Sequence, residues 1–575
     1  MAAAISRSAA AGVRPVRAPA LAALALLASA PPLRAQEAAA GAGAGASSGA
    51  AEPAAAPAGP RGAPIGGGSL GDPADGFDGS SAVRLGAFGA PFGRTAATEE
   101  QPAGRAWTIT PSIAITGGAT NNVFQTRDDT RSDTFIGITP GIVVDGGTAR
   151  IRATLNYTPS AQLYATYTSE NHVSQFGNGQ ILAELLPDML FLDVRGAASL
   201  GTTGGGFVPG TAQTARRSNQ VQYYNFQVAP YLVHRFGSAA TAQIGYVFQY
   251  SAQDGTTNFD PRSAQPVFES QDYIANRGYA VVRTGEDFGR LALQARIDGT
   301  AYTGNGVYDD AHVFFTTIEA RYAILPTIAV LVEGGYENIS YGGTNPERID
   351  DAIWSVGMRL TPTRESFLTV RYGHRGGFDA PSVEAGIQLG AYTRLTASYS
   401  ERLATTATLA QDLLSSTVLD SLGNPVDERS GAPVLYTNPF FPSSNGLFRT
   451  RTGSVALTIA WPRDSITFSA YYQHQDPVSA EPGTQISEST GWYGGVSWTH
   501  EISPSTAFNA QVQYGRTDFV DRPATDILFV SGGLSHRLTE QLSATVQVFY
   551  DNRTSSLRDN EYSQATILAG LRRTF

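Results

Sequence analysis

The feature that most constrains this chain is a two-residue alternation of apolar and polar side chains that begins near Trp107 and continues to Phe575. It comes in segments of roughly ten residues separated by turn-forming residues, the pattern of strands with one apolar and one polar face. In Gln243–Tyr250, Ile244, Tyr246, Phe248 and Tyr250 share a face opposite Gln243, Gly245 and Gln249. In Gln541–Asp551, Leu542, Ala544, Val546, Val548 and Tyr550 alternate with Ser543, Thr545 and Gln547. A helix would repeat every 3.6 residues, so these segments read as strands.

A soluble β-sandwich also alternates. Three features point instead to a membrane. Many segments approach the ~9–11 residues that a tilted strand needs to cross a bilayer. Tight turns such as Asp145-Gly146-Gly147, Pro187-Asp188, Phe236-Gly237-Ser238 and Pro462-Arg463-Asp464 alternate with longer polar loops, Gly201–Asn219, Ala252–Ser270 and Leu403–Leu447. That asymmetry is usual for outer-membrane barrels. Trp107, Trp354, Trp461, Trp498, Tyr322 and Tyr372 fall at expected strand ends, where aromatic side chains form interfacial girdles. After the N-terminal region no stretch approaches the ~18 uninterrupted apolar residues of a transmembrane helix. Membrane insertion then requires a closed barrel, because lipid satisfies no backbone polar groups. The fold class is all-β: a transmembrane antiparallel up-and-down β-barrel of about 22 strands, within a range of roughly 18 to 24.

Composition excludes several chemistries. The 575 residues include no cysteine, and all 40 basic residues are arginine. There is thus no disulfide, thiolate or lysine chemistry, and no lipidated N-terminal cysteine. The net charge of −10 and the absence of a basic motif give no basis for nucleic-acid binding.

Residues 1–35 have the order of a secretory signal peptide. Arg7, Arg14 and Arg17 precede the short apolar run Ala18–Ala30. Ala28-Ser29-Ala30 fits a cleavage site but is followed by Pro31, so Leu33-Arg34-Ala35 is preferred, with a mature start at Gln36. Residues 36–105 are rich in alanine, glycine and proline and read as a disordered periplasmic linker. Residues 106–575 form the barrel, so the expected location is the cell outer membrane.

The C-terminal strand ends in Phe575, with Ile567, Ala569 and Leu571 on the same face. This resembles the recognition signal of the barrel assembly machinery, although Arg573 occupies a same-face position usually held by an apolar residue. At the other end, Ile109-Thr110-Pro111-Ser112-Ile113 is echoed by Ile138-Thr139-Pro140-Gly141-Ile142, with Asn121-Asn122 between them. Over roughly Trp107–Leu200 the chain resembles the putative beta-barrel porin 2 family and related barrels associated with exopolysaccharide and exosortase gene clusters. The family often has Asp-Asn where Asn121-Asn122 stands here. The resemblance implies an outer-membrane barrel linked to polysaccharide export and supplies no functional residues. Because proline lacks a ladder donor, Pro111 and Pro140 are expected at bulges near the periplasmic strand ends rather than in a binding role.

No catalytic constellation emerges. His172, His234, His312, His374, His474, His500 and His536 fall in loops or near strand ends, and none pairs at metal-ligand spacing. The chain is expected not to be an enzyme and to hold no cofactor or metal. Asp128, Asp129 and Asp133 offer oxygen ligands for calcium but read better as an acidic solvated loop. Functional information is expected in the lumen. Strand phase points Arg150, Arg152, Arg195, Arg290, Arg296, Arg321, Arg359 and Arg371 inward, with Asp193, Asp298, Glu319, Glu333 and Glu384. These charges serve either as crosslinks across the wall or as a filter favouring anions or acidic sugars. The leading expectation is a porin-like channel for solutes or exported polysaccharide. The alternative is a structural or adhesion scaffold with an occluded lumen and partner-binding outer loops. Expected partners are outer-membrane lipid and lipopolysaccharide, the assembly machinery during biogenesis, and the transported solute or polysaccharide.

Overall fold

The computed structural model describes residues 107–202, 214–255, 258–259, 266–268, 271–363, 365–419, 425–427, 446–484, 486–521, 523–555 and 561–575. The expected signal peptide and linker lie outside these residues, as does much of the loop Leu403–Leu447.

Twenty-two spans form one closed antiparallel barrel. The first seven are β1 (Trp107–Thr120), β2 (Asp133–Gly147), β3 (Ile151–Tyr157, resuming as Ser160–Tyr164), β4 (His172–Ser174, resuming as Gly177–Leu186), β5 (Leu190–Thr202), β6 (Gln220–Phe236) and β7 (Ala240–Gly255). Then come β8 (Gln271–Thr284), β9 (Leu291–Gly304), β10 (His312–Leu325), β11 (Ile328–Tyr341), β12 (Glu347–Thr363), β13 (Ser366–Arg375), β14 (Phe378–Gly390) and β15 (Thr393–Ala404). A helix, α1 (Thr406–Ser416), precedes β16 (Gly446–Ala460), β17 (Asp464–Ala480), β18 (Ser489–Ser503) and β19 (Thr506–Phe519). The last three are β20 (Thr525–Arg537), β21 (Leu542–Ser555) and β22 (Tyr562–Thr574).

Closure comes from β1 pairing antiparallel with β22, from Ser112↔Thr574 to Thr120↔Thr566. The Phe575 amide extends the seam by donating to the Pro111 carbonyl at 2.9 Å. A closed ring leaves no unpaired edge, which a lipid-facing sheet cannot tolerate.

The prolines behave differently from expectation. The β1–β2 register runs unshifted from Trp107↔Gly146 to Thr120↔Asp133, so neither Pro111 nor Pro140 makes a bulge there. Pro111 does lie near the end of the β1–β22 ladder, where a missing donor costs little. Pro140 is at mid-strand. Its other neighbour is the interruption in β3 at 158–159, and Ile142↔Tyr157 and Ile138↔Ala161 keep one register across the gap. Pro140 therefore faces Pro159, and the ladder is interrupted where neither residue has an N–H to donate.

The two faces separate as the alternation predicts. Ile244, Val332, Val356 and Leu571 are exposed on the outer wall, while Gln243, Glu333, Ser355 and Arg371 are buried on the inner one. Connections after even-numbered strands are short, such as 326–327 and 504–505, whereas 121–132, 203–219, 256–270 and 405–445 follow odd-numbered strands. The turn 376–377 is a short exception on the long-loop side. Both ends of the barrel chain fall on the short-turn side, the periplasmic side in barrels of this type. Trp107, Tyr322, Trp461 and Trp498 are exposed toward that rim, and Trp354, Tyr372, Trp492 and Tyr514 higher up. The outer wall is an apolar band between two aromatic belts, the form of an outer-membrane β-barrel.

Candidate functional site: the lumen and its inward helix

The inner wall carries paired charges at mid-depth. Asp298 on β9 receives Arg277 Nη2 of β8 at 2.5 Å and Arg296 Nη2 at 2.9 Å. Arg371 on β13 meets Glu319 on β10 at 3.1 Å, and Ser355 donates to Glu333 at 3.0 Å. Glu319 and Glu333 are direct cross-strand partners, so without Arg371 two buried carboxylates would face each other.

The arginines expected in the lumen fall into three groups. Arg195, Arg296 and Arg371 are buried on the inner wall and ion-paired. Arg321 and Arg359 are half-buried on that wall nearer the periplasmic rim, Arg359 stacking over Phe367 at 5.1 Å. Arg152 is exposed at the rim. Its partner Leu182 is in turn paired with Asp193, which puts Arg152 on the inner face. Arg150 and Arg290 differ from expectation: both are exposed in periplasmic turns rather than on strands. Backbone pairing ends sooner there than the polar alternation does.

The feature missed from sequence is α1. It follows β15 within the longest loop, yet it packs against β5, β6 and β7. β6 lies nine strands from β15 around the ring, so the loop turns inward and reaches the far wall. Thr405 is the N-cap: its hydroxyl accepts from the Thr408 amide, and Thr408 Oγ1 accepts from the Thr405 amide, a reciprocal capping arrangement. The Thr405 hydroxyl also hydrogen-bonds with the Tyr308 hydroxyl. Ala407 enters a buried cluster with Tyr273, Tyr308 and Tyr341.

The opposite end of α1 is fixed to the wall. Leu413 and Leu414 pack on Ala197 of β5. Gln411 Nε2 and Ser415 Oγ both donate to Gln227 Oε1 of β6, at 3.3 and 2.8 Å. Arg195 Nη1 donates to the carbonyls of Leu414, Ser415 and Thr417 at 3.2, 2.6 and 2.9 Å. The carbonyls of a helix's last turn lack intrahelical partners and carry the negative end of its dipole, so a cation there is doubly favourable. Asp193 holds the rest of the guanidinium, with Nη2 at 2.8 Å. On its own side, Asp412 meets Arg402 of β15 at 2.9 Å. The helix is thus bound to opposite parts of the wall and narrows the lumen between them.

Two other clusters are visible. His474 and Asp476 of β17 and Glu488 before β18 bring ligand atoms within 4.8 Å of one another, a grouping hidden in sequence because Glu488 lies across a loop. His474 already bonds Thr490 and Asp476, at 2.7 and 2.9 Å. Asp133 accepts from the amides of Thr134, Thr166 and Tyr167, so it ties a loop to β2 rather than presenting a free ligand. At the C-terminus Ile567, Ala569, Leu571 and Phe575 form one exposed outward stripe, with the Arg573 guanidinium 5.1 Å from the Phe575 ring.

Solved structures with a similar barrel include the ferric enterobactin receptor of Pseudomonas aeruginosa, at 9% identity and a TM-score of 0.41, covering 81% of this chain and 80% of that one. The siderophore receptor PirA of Acinetobacter baumannii gives 9% and 0.42 with the same coverage. The ferric-catecholate import receptor Fiu of E. coli gives 10% and 0.43, covering 81% of each chain. At such identities the likeness is one of fold. No curated protein matches the chain. The family resemblance drawn from the first hairpin has a counterpart at the other end of the barrel: residues 466–575, from β17 to the terminal phenylalanine, match the family described as putative beta-barrel porin 2.

Proposed function

We propose that this protein is a passive outer-membrane channel whose lumen is narrowed by α1. The observation that carries the reading is the largely polar inner wall of a closed 22-strand ring, where Gln, Ser, Thr and paired charges outnumber the apolar side chains that share it. A barrel of that size leaves room for a lumen, and α1 with its wall contacts restricts it. The solutes are small polar molecules or an exported polysaccharide. Lipid and lipopolysaccharide surround the outer wall, and the assembly machinery meets the β22 stripe. No catalytic step is assigned.

The test is reconstitution of the folded chain in planar bilayers. Stepwise conductance is expected, and removal of residues 406–445 should enlarge each step. A purified, folded barrel that never conducts, with or without that segment, overturns the channel reading. The scaffold alternative draws on the same helix: if only the deleted form conducts, the native lumen is occluded. The inward course of α1 leaves less of that loop to act as an outer binding surface.

A further inference from the structure

We propose that His474, Asp476 and Glu488, on the outward face of the β17–β18 hairpin at the long-loop rim, bind a divalent metal ion of the zinc type. The site does not depend on whether the barrel conducts. Gln473 and Gln475 are buried on the inner wall, so His474 and Asp476 point outward, on the same face as exposed Tyr472. Glu488 immediately precedes Ser489, the buried first residue of β18. Cross-strand pairing sets Tyr472 against Trp492 and His474 against Thr490. The three side chains therefore stand just beyond the upper aromatic belt, outside the apolar band.

An ion pair accounts for only two of the three. His474 Nε2 is 2.9 Å from Asp476, and its Nδ1 is 2.7 Å from Thr490 Oγ1. Glu488 is partly buried, yet among the described residues its carboxylate makes no hydrogen bond or ion pair. It nevertheless brings an oxygen within 4.8 Å of ligand atoms of both others. Two carboxylates that close repel each other unless a cation stands between them. Arg451 is the guanidinium beside Asp476, and it is divided. Its Nε donates to Glu401 at 2.8 Å, and only Nη2 reaches Asp476, at 3.4 Å.

The backbone already holds the ligands in place. The Glu488 carbonyl accepts from the Val520 amide at 3.3 Å. Thr490 fixes the His474 ring through Nδ1, as outer-shell groups do for ligating imidazoles, and leaves Nε2 facing Asp476. The 2.9 Å between Nε2 and Asp476 is also the gap between neighbouring ligands of an ion bound at ~2.1 Å. Glu488 closes the shell by moving about 1–2 Å, and it has no bond to break in doing so. Imidazole among the ligands favours zinc-type ions over calcium and magnesium, and three protein ligands leave a position for water.

The test uses the folded full chain, stripped with a chelator, and zinc alone as the probe. Titration calorimetry should show one ion bound per chain, more weakly as the pH falls, because protons compete for the imidazole. His474→Gln and Glu488→Gln should each weaken binding about tenfold or more. Glu488→Gln removes no contact of the fold, so it keeps the test decisive if His474→Gln misfolds. His374 also stands between two carboxylates, Asp351 and Asp379, at 3.0 and 2.5 Å. His374→Gln should leave the affinity unchanged. Zinc that does not bind, that binds Glu488→Gln as it binds the native chain, or that is lost with His374 instead overturns the site. Calcium that displaces zinc at equal concentration overturns the assignment of the ion.

Discussion

Arg371 reaches Glu319 at 3.1 Å although two whole strands, β11 and β12, lie between their own. Gly357, the direct β12 partner of Arg371, makes the crossing possible: a Cβ there would stand 2.6 Å from Arg371 Cγ. The guanidinium thus lies along the wall and offsets a carboxylate pair that the ladder sets face to face. Removing the cation should leave the two buried carboxylates facing each other with their strongest compensation lost. Arg371→Met is expected to lower unfolding stability in lipid vesicles by about 3 kcal/mol, read from urea midpoints. Adding Glu319→Gln should recover part of the loss. An Arg371→Met barrel as stable as the native one would show that the pair is mere wall polarity.

Arg195 should control how firmly α1 holds to the lumen wall. Arg195→Ala removes three hydrogen bonds to carbonyls of the last helical turn and the residue just beyond. Each such bond to a charged group contributes about 1.5–3 kcal/mol. The substitution also strands buried Asp193, so the comparison is made in an Asp193→Asn background, where the barrel's unfolding midpoint should change little. Amide exchange over residues 406–417 should accelerate at least tenfold while exchange in β5 and β6 stays slow. Equal exchange in the two proteins would mean that the leucine contacts and Gln227 suffice.

The barrel was legible because its cause is local: lipid outside and water inside impose the two-residue period on every strand, from Ile244 and Tyr246 to Val546 and Val548. The mid-depth ion pairs within one strand, Asp193 with Arg195 and Arg296 with Asp298, were legible for the same reason. What joins distant strands was not. Nothing near Arg371 in the chain points to Glu319, and nothing near Arg195 points to Leu414. α1 did leave a local trace, Thr405 and Thr408 at cap spacing before Leu409 and Leu413. Set within a long loop, eleven residues are too few to mark a helix without the wall that buries their apolar side.

Aromatic rings laid over glycines form a second recurrent contact. Tyr493 covers Gly515, Tyr279 covers Gly245 and Phe135 covers Gly118, each a direct cross-strand pair. A Cβ at Gly515 would stand 1.9 Å from Tyr493 Cδ1, so the ring must leave. Gly515→Ala should therefore destabilise the barrel by about 1–3 kcal/mol, as overpacking usually does. In a Tyr493→Ala background the same substitution should cost much less, since no ring is displaced. A double-mutant cycle with no coupling would show that backbone freedom, not the ring, requires glycine there.

The β22 stripe separates assembly from stability. Phe575 is 61% exposed, with Ile567 and Leu571 at 49% and 52% on the same face, so its ring adds little to the interior. Its bond to β1 runs through the backbone, from its amide to the Pro111 carbonyl. Phe575→Ala keeps that amide and should change stability in vesicles by about 1 kcal/mol or less. If the stripe is read by the assembly machinery through strand addition, the amount of barrel reaching the outer membrane should nonetheless fall severalfold. Phe575→Tyr should restore it. The comparison is between urea midpoints of purified protein and quantification of the outer-membrane fraction. Losses that track each other in both measurements would assign Phe575 to barrel stability rather than to recognition.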